Sequence, residues 1–195
     1  MSTVRLKDYD NSWYRPGRSL AWQIMWMLFG LPILRSSLLP SSAVRVRLLR
    51  FFGARIGARV VMAKSFTVKY PWHLFIGDDC WIGEGCWIDN LTQIHLGNNV
   101  CLSQGCYLCT GNHDWSDPAF GLIVNPIYLR DCAWVGAKAV LLAGVELGEC
   151  SVAAAGSVVT KDIPDYEIHA GNPAAFIKMR KVGMETSPRV EAYKS

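Results

Sequence analysis

The segment IGDDCWIGEGCWI, residues 76–88, has isoleucine at its first, seventh and thirteenth positions. Ile76, Ile82 and Ile88 are thus six residues apart, and glycine follows the first two directly. The same step organises the chain from residue 56 to residue 159. The positions of this six-residue series hold aliphatic residues or methionine, and they are Ile56, Met62, Val68, Ile76, Ile82, Ile88, Leu96, Leu102, Leu108, Leu129, Val135, Leu141, Leu147, Ala153 and Val159.

A six-residue period is typical of parallel β-helices, in which three short strands make one triangular turn. The repeated aliphatic side chain points inward and stacks on its equivalent in the next turn, while glycine permits the tight backbone of the corners. Each turn can bury its apolar face only against a neighbouring turn. The sequence therefore predicts an all-β fold, a parallel β-helix of about five turns.

The two open ends of such a stack need covers, because unpaired strand edges invite association with other chains. We therefore divide the chain into three parts. Residues 1–55 are expected to form a helical N-terminal cap, residues 56–165 the β-helix, and residues 166–195 a C-terminal cap with a short tail or helix.

Two helices are predicted in the N-terminal part. Ser19 can cap a helix from Leu20 to about Gly30, which Pro32 is expected to end. A second helix is predicted from Ser41 or Ser42 to Phe52, and Gly53 follows it.

The N-terminal part has two interpretations, which do not exclude each other. It can cap the β-helix or a neighbouring subunit, or it can lie in a membrane interface with tryptophan among the headgroups and arginine on anionic lipid. Residues 1–59 hold ten Lys/Arg and two Asp, whereas residues 60–195 hold ten Lys/Arg and fourteen Asp/Glu. The basic character thus belongs to the N-terminal region, which favours contact with an anionic lipid surface.

Composition and the length of the apolar run argue against a disordered protein, a membrane span and a signal peptide. Hydrophobic residues make up 51% of the chain and charged residues 18%, which excludes disorder and suggests more buried surface than a monomer's core provides. The apolar run from Leu20 to Leu34 has only 15 residues between Arg18 and Arg35, too short for a membrane span. No cleavage site of small residues follows it, so a signal peptide is not expected.

The seven cysteines do not have the spacing of a zinc site, since Cys106-x-x-Cys109 has no second pair to complete it. Four of them fall where the repeat needs small inward-facing residues, and free cysteine behaves as a small hydrophobe. The four are Cys80, Cys86, Cys106 and Cys150. We expect a reduced, cytoplasmic protein without metal. If it contacts a membrane, the expected place is the inner face of the cytoplasmic membrane.

One long interruption breaks the repeat, from Gly111 to about Ile127. Leu96 and Leu129 are 33 residues apart, whereas equivalent positions in the earlier turns are 20 apart. His113 stands at the start of this loop. A long loop on a rigid scaffold is more often functional than accidental, so a catalytic base is expected here.

The repeat, the TGNHD segment at 110–114, the loop, and the run from Gly144 through Ala155-Gly156-Ser157-Val158-Val159-Thr160-Lys161 to Ala170-Gly171-Asn172-Pro173-Ala174 resemble one family. The chain is similar to the left-handed β-helix (hexapeptide-repeat) acyltransferases, in the branch of galactoside, maltose and nodulation-factor O-acetyltransferases. The Trp-rich N-terminus and NHDWSDP at 112–118 resemble the colanic acid biosynthesis acetyltransferases within it. The resemblance covers roughly residues 56–180. It implies a left-handed β-helix and transfer of acetyl from acetyl-CoA to a sugar hydroxyl in exopolysaccharide synthesis.

The resemblance also implies the roles of individual residues. His113 matches the general base, whose neutral imidazole removes the proton of the acceptor hydroxyl. Asn90 matches an asparagine that contacts the acceptor sugar and helps to stabilise the transition state, although an asparagine at a corner can also serve the turn alone. Asp114 is expected either to bind the sugar or to form the loop.

For acetyl-CoA, the resemblance implies a site along the later turns, and Trp134 is expected to line up with Asn90 and His113 along the stack. The expected residues of this site are Trp134, Ala137, Ala155, Thr160, Lys161 and Lys178. At two positions near the C-terminus where the family has an arginine, this chain has Ala175 and Lys178. The contacts to the nucleotide of acetyl-CoA are therefore in doubt, and Arg180 or Lys181 are the candidate substitutes.

The resemblance implies a homotrimer with active sites between subunits, and an acceptor that could be lipid-linked. No nucleic-acid partner is expected. Three alternatives stay open at this point: an amino sugar or serine as acceptor, a non-catalytic structural β-helix, and a zinc enzyme of the carbonic anhydrase type. The third needs three converging histidines, and the four histidines of this chain include no closely spaced pair.

Overall fold

The computed structural model describes residues 3–38 and 41–183. Helical segments occupy the N-terminal part and short strands the rest. The strands are β1 (Arg55–Ile56), β2 (Val61–Met62), β3 (Thr67–Val68), β4 (Leu74–Ile76), β5 (Trp81–Ile82), β6 (Trp87–Asp89), β7 (Ile94–Leu96), β8 (Cys101–Leu102), β9 (Tyr107–Cys109), β10 (Gly111–His113), β11 (Leu122–Val124), β12 (Ile127–Leu129), β13 (Trp134–Val135), β14 (Val140–Leu141), β15 (Glu146–Leu147), β16 (Val152–Ala153), β17 (Val158–Val159), β18 (Glu167–Gly171) and β19 (Ala174–Met179).

Three parallel sheets form the sides of a triangular β-helix. The first sheet has the order β1-β4-β7-β12-β15, the second β2-β5-β8-β13-β16-β18-β19, and the third β3-β6-β9-β14-β17. Each sheet takes one strand from each turn, so the chain makes five complete turns and β18 begins a sixth. The register pairs Ile56 with Ile76 and Ile76 with Leu96. The predicted left-handed parallel β-helix of about five turns is confirmed.

The six-residue positions build the core, as predicted. From Met62 to Val159 all of them are buried, and Ile56 at the open first turn is partly buried. The four cysteines that were expected to face inward are buried as free thiols. Stacking identical positions in register fills the interior with aliphatic side chains, which is the main stabilisation of a solenoid.

Leu108 offers a direct test of this core. Its side chain is fully buried in the third turn, so Leu108→Ala is expected to lower the free energy of unfolding by about 2–5 kcal/mol. Ile123→Ala, on a side chain 37% exposed, serves as the control and should cost under about 1 kcal/mol. Denaturant unfolding measures both variants, and equal losses would contradict the assignment of Leu108 to the core.

The first N-terminal helix runs further than predicted. It comprises α1 (Leu20–Met25), a π turn (Trp26–Gly30) and α2 (Leu31–Arg35). The expectation that Pro32 ends the helix is wrong, because the π turn shifts the hydrogen-bond register just before it. The amide of Leu31 donates to the carbonyl of Trp26, and Pro32 then falls in the first turn of α2, where its missing N–H is tolerated.

The second helix, α3 (Ser42–Phe51), agrees with the prediction, and Gly53 follows with a φ of +100°. Both helices cover the first turn of the β-helix. Trp26 and Leu34 are buried in the same core as the repeat, and the indole Nε1 of Trp26 donates to the carbonyl of Val68 at 3.2 Å. The inner face of residues 20–35 therefore packs against the first turn of the repeat.

The outer face of the same helix is also apolar. Its exposed side chains are Leu20, Ile24, Met25, Met27, Leu28, Phe29 and Ile33. Within the described ranges, none of the helices has both the length and the hydropathy needed to cross a bilayer. This surface, which we call the apolar face, is therefore exposed at the N-terminal end of the stack.

At the opposite end of the stack, a hairpin rather than a helix extends the second sheet. β18 extends the second sheet beyond β16, and β19 folds back antiparallel against β18. The outer edge of β16 is thus paired with the chain's own C-terminal segment. Residues 184–195, the end of the predicted cap, lie outside the described residues.

Candidate active site

His113 lies on β10, at the start of the long loop, and one contact fixes its imidazole. Its Nδ1 lies 2.9 Å from the carbonyl oxygen of Phe120, and the two rings stack with centroids 4.4 Å apart. Because a carbonyl oxygen can only accept, Nδ1 must donate. In the neutral imidazole the lone pair is then on Nε2, which is the form that can take a proton.

The loop around His113 is an ordered hairpin, since β10 and β11 pair antiparallel. The carboxylate of Asp117 accepts from the amides of Ala119 and Gly121, at 2.9 and 3.2 Å. Phe120 adopts a φ of +54° at this bend. These contacts hold the carbonyl of Phe120 where His113 can donate to it, so the imidazole is oriented by main-chain geometry.

Asp114 mainly forms the loop. Its Oδ1 accepts from the side chain and the amide of Ser116 and from the amide of Asp117. The hydrogen bonds from Ser116 hold the pKa of the Asp114 carboxyl below its usual value. Asp114 is therefore an anion whose Oδ1 is already occupied, which agrees with the predicted loop-forming role and leaves Oδ2 for an acceptor.

Asn90 is located at the same corner as the base of the His113 loop, one turn earlier, as predicted. Its side chain is fully buried. Oδ1 accepts from the amide of Tyr70 at 2.9 Å, and Nδ2 donates to the carbonyl of Tyr70 at 2.7 Å. The Asn90 carboxamide thus links two adjacent turns by hydrogen bonds, and none of its surface is exposed to contact a sugar.

An N-terminal segment whose position was not predicted crosses the site. We call residues 5–16 the N-terminal strap. The amide of Arg5 donates to the carbonyl of Pro118 at 2.8 Å, and the hydroxyl of Tyr14 donates to the carbonyl of Leu91 at 2.6 Å. Between these contacts, the ring of Tyr9 lies 5.5 Å from that of His113.

A groove of about 580 Å³ lies along the second sheet and its next corner. It is lined by Ser103, Gln104, Trp134, Gly136, Ala137, Val152, Ala153, Ala154, Ala155, Ile168 and Arg180. The indole Nε1 of Trp134 donates to Ser103 Oγ at 2.9 Å, which orients the ring. Gly136 lets the next turn stack closely at this corner, because a Cβ there would lie 2.4 Å from the amide nitrogen of Ala155.

The lining of the groove is mostly apolar and includes one positive charge. Its walls are small and apolar side chains and main chain, and Arg180 supplies one positive charge. A guanidinium nitrogen of Arg180 donates to the carbonyls of Cys132 and Cys150, at 3.0 and 3.1 Å, so the group is fixed in place. Arginine suits phosphate oxygens because of its planar array of donors.

Of the residues predicted for acetyl-CoA, the structure brings Trp134, Ala137 and Ala155 together in this groove. Thr160, Lys161 and Lys178 are exposed and are not among its lining residues. Arg180, named from the sequence only as a substitute, is among them. Ser103 and Gln104 were missed, and no motif distinguishes them, since they join the groove through the stacking of turns.

The groove and His113 lie on different sides of one chain. The hairpin of His113 leaves the third sheet after β9 and rejoins the first sheet at β12, whereas the groove follows the second sheet. In a triangular cross-section, the corner between the third and first sheets faces the second sheet across the core. The expectation that His113 and Trp134 align along the stack is therefore wrong within one chain.

The chain resembles known proteins over most of its length. It is 37% identical over 136 residues to a protein named colanic acid biosynthesis acetyltransferase WcaF of Escherichia coli K12, a match that covers 70% of this chain and 75% of the relative. The chain belongs to the hexapeptide-repeat acetyltransferases. A search of family models gave no match.

Solved structures agree with this family. A hexapeptide-repeat acetyltransferase of Vibrio cholerae superposes with a TM-score of 0.75 at 26% identity, over 83% of this chain and 92% of that one. The same protein has been solved with acetyl-CoA, with a TM-score of 0.73. A galactoside acetyltransferase with coenzyme A, 22% identical, shares the fold with a TM-score of 0.71, over 83% of this chain and 82% of that one. This hexapeptide-repeat chain is therefore an acetyltransferase that uses acetyl-CoA.

The described residues also bear on the zinc alternative. Among residues 3–38 and 41–183, no group of three or more His, Cys, Asp or Glu side chains is arranged to hold a metal ion. His95 instead stacks between Phe75 and Tyr128 on the outside of the first sheet.

Proposed function

We propose that this acetyltransferase transfers the acetyl group of acetyl-CoA to a saccharide hydroxyl, with His113 as general base, in the synthesis of an exopolysaccharide. The observation that carries the proposal is the hydrogen bond from His113 Nδ1 to the Phe120 carbonyl, because it leaves Nε2 as the proton acceptor. The acceptor class and the pathway are supported by the name of the Escherichia coli relative, a colanic acid biosynthesis acetyltransferase.

In this mechanism, acetyl-CoA supplies an activated acyl carbon. Nε2 of His113 takes the proton of the acceptor hydroxyl while the hydroxyl oxygen forms a bond to that carbon. The carbon–sulfur bond then breaks, and the imidazolium returns its proton to the leaving sulfur, which restores the neutral base. Phe120 stabilises the imidazolium throughout, because its carbonyl accepts from Nδ1 in both protonation states.

Two further residues are proposed for the acceptor. Asn90 acts mainly as a positioning residue, because its carboxamide fixes the corner from which Leu91 and Thr110 extend; direct contact with the sugar would require the bonds to Tyr70 to open. Asp114 offers Oδ2 to a sugar hydroxyl while Oδ1 holds the loop.

The groove on the second sheet is proposed to hold the pantetheine arm of acetyl-CoA against Trp134, Ala137 and Ala155. Arg180 is the cation proposed for the phosphates. Thr160, Lys161 and Lys178 lie outside the lining, so we propose that they contact the exposed nucleotide end rather than the arm.

Trp134→Ala is expected to raise the KM for acetyl-CoA about tenfold, since the ring is a large apolar wall of the groove. The matched control is Trp81→Ala, because Trp81 occupies the equivalent position on the second sheet two turns earlier but lies outside the groove. Steady-state CoA release, with the mass of both variants checked, measures the effect. An equal rise in both variants would contradict the placement of the arm.

We also propose that the active site is completed by a neighbouring subunit in a homotrimer. His113 and the groove lie on different sides of one chain, so a single copy cannot bring base and acetyl donor together. Outward-facing aromatic residues support an interface, since Trp87 is 49% exposed and its ring lies 4.7 Å from that of Tyr107 on the third sheet. Buried interfaces commonly use such aromatic residues.

The N-terminal part, residues 1–55, is proposed to combine two roles, with residues 56–165 as the transferase domain and 166–195 as the C-terminal cap. Its inner face caps the β-helix, and the apolar face binds an anionic membrane surface, where a lipid-linked saccharide would be the acceptor. The exposed apolar side chains and the basic charge of residues 1–59 support this role.

CoA release by the purified protein tests the proposed function. The acceptors are methyl glycosides of galactose, glucose and N-acetylglucosamine, with glucosamine and serine as the competing classes. We expect release that depends on a methyl glycoside and an ester-linked acetyl group in the product. Turnover with glucosamine or serine alone would change the acceptor class, and no turnover with any of these acceptors would contradict the proposed saccharide acceptor.

A further inference from the structure

The N-terminal strap, residues 5–16, is bound at both ends to the two elements proposed to meet the acceptor. At one end the amide of Arg5 donates to the carbonyl of Pro118, in the loop that follows His113. At the other end the Tyr14 hydroxyl donates to the carbonyl of Leu91, directly after Asn90. The strap therefore spans the space between these elements.

The contact of Tyr14 is built into the fold rather than lying loosely on its surface. Burial, together with the nearby Tyr70 and Asp89, raises the pKa of the Tyr14 phenol well above its usual value. The phenol consequently stays neutral and keeps its proton for the bond to Leu91. Further along, the indole of Trp72 donates to the carbonyl of Pro16, so the strap continues into the first helix along a fixed path.

Tyr9 is held where the strap passes His113. A single 3₁₀ turn, Leu6–Asp8, precedes it, and the amide of Tyr9 donates to the carbonyl of Leu6 at 3.2 Å. An ion pair of 2.7 Å between Arg5 and Asp8 closes the turn. Tyr9 is partly buried in a strap that is otherwise largely exposed.

Two aromatic rings thus border the imidazole. Phe120 stacks on it in parallel, and the Tyr9 ring lies 5.5 Å away at an interplanar angle of 59°. Binding sites for small molecules are lined by aromatic walls with a few polar groups that set orientation. A tyrosine provides both, since its ring packs on an apolar face and its hydroxyl forms hydrogen bonds. The C–H face of a pyranose ring is such a surface, and its hydroxyls are such partners.

We propose that Tyr9 is a wall of the acceptor pocket and selects a saccharide ring at His113. The proposal rests on the proposed function, because it takes His113 as the base and a sugar as the acceptor. Tyr9 thereby becomes a part of the transferase site that the repeat does not encode.

The test compares Tyr9→Ala, Tyr9→Phe and the matched control Trp13→Ala. Trp13 lies on the same strap, is 55% exposed and contacts the ring of Tyr14 instead of His113. The probe is whichever of the three methyl glycosides the wild-type chain turns over fastest. For Tyr9→Ala we expect the KM of this glycoside to rise roughly tenfold while the KM of acetyl-CoA changes less than twofold. Tyr9→Phe should keep most of the ring contact, and Trp13→Ala should match the wild type.

A second measurement does not depend on turnover. Carbethoxylation of His113 by diethyl pyrocarbonate, followed by peptide mass spectrometry, should be several-fold faster in Tyr9→Ala than in Trp13→Ala. Saturating methyl glycoside should protect His113 in the wild type and much less in Tyr9→Ala.

Several outcomes would overturn the assignment of Tyr9. These are an unchanged glycoside KM, an equal rise in the KM of both substrates, or faster turnover in Tyr9→Ala, which would make the strap an inhibitory cover. Failure of the proposed function is distinct, because it would appear as a wild-type chain without glycoside-dependent turnover, or as His113→Ala with normal turnover.

Discussion

Replacing His113 with alanine is expected to lower kcat about 10²–10⁴-fold, which is the usual contribution of a positioned general base. Without Nε2 the site loses its proposed base, and Asp114 is a poor substitute because the hydrogen bonds from Ser116 lower the pKa of its carboxyl. The fold should survive, because His113 lies on the loop hairpin and outside the buried core. The KM for acetyl-CoA should stay near that of the wild type, since the groove lies on another face.

The measurement is steady-state CoA release with the best methyl glycoside, together with the molecular mass and the thermal unfolding of the variant. His95→Ala is the control, because His95 is an outward histidine of the first sheet that pairs with Gln93. Its activity should remain within about twofold of the wild type. Activity of His113→Ala within tenfold of normal would show that another group is the base.

The second large effect is expected at the apolar face. Met27, Leu28 and Phe29 are 60%, 63% and 63% exposed, and Arg18 and Arg35 flank their helix. Full burial of one such side chain contributes roughly 1.5–3 kcal/mol. Partial burial of three in the headgroup region therefore corresponds to about thirtyfold or more in affinity for vesicles. The triple variant Met27→Gln, Leu28→Gln, Phe29→Gln should lose this affinity and keep its activity on soluble methyl glycosides.

Co-sedimentation with vesicles that contain anionic lipid measures the loss, and neutral vesicles show the part that depends on charge. The control carries the same three changes at the other end of the stack, at Phe176, Ile177 and Met179, which are 53%, 56% and 52% exposed. This control should bind like the wild type. Equal partitioning of the full chain and a chain lacking residues 1–40 would contradict membrane binding by the N-terminal part.

The periodic part of the structure was predictable from the sequence. Each side chain in the series from Met62 to Val159 has the same environment, so a six-residue step at Ile76, Ile82 and Ile88 reports local geometry directly. The boundary of the loop was predictable for the same reason, since it is where the step fails. The pairing of β10 with β11 inside the loop was not predicted, because residues 111–127 were recognised only as a break in the repeat.

The parts that were missed depend on contacts between distant segments. The bond that orients His113 comes from a main-chain carbonyl of Phe120, to which no residue type is specific. Tyr9 reaches His113 across about a hundred residues of sequence, and no local pattern encodes that approach. A proline usually ends a helix, but the π turn before Pro32 allows this helix to continue. Trp134 lies away from His113 because the loop leaves the β-helix at the corner between the third and first sheets, whereas Trp134 is on the second sheet.

Base and acetyl donor are proposed to meet between subunits, so that His113 of one subunit acts on acetyl-CoA held in the groove of another. Two variants are co-expressed with different affinity tags: His113→Ala, which has an intact groove, and Ala155→Trp, which fills the groove and keeps His113. Mixed trimers isolated through both tags contain one intact site of three, so they should show about one third of wild-type CoA release although each parent is inactive. Mixed trimers as inactive as the parents would place base and groove in the same chain and contradict this account.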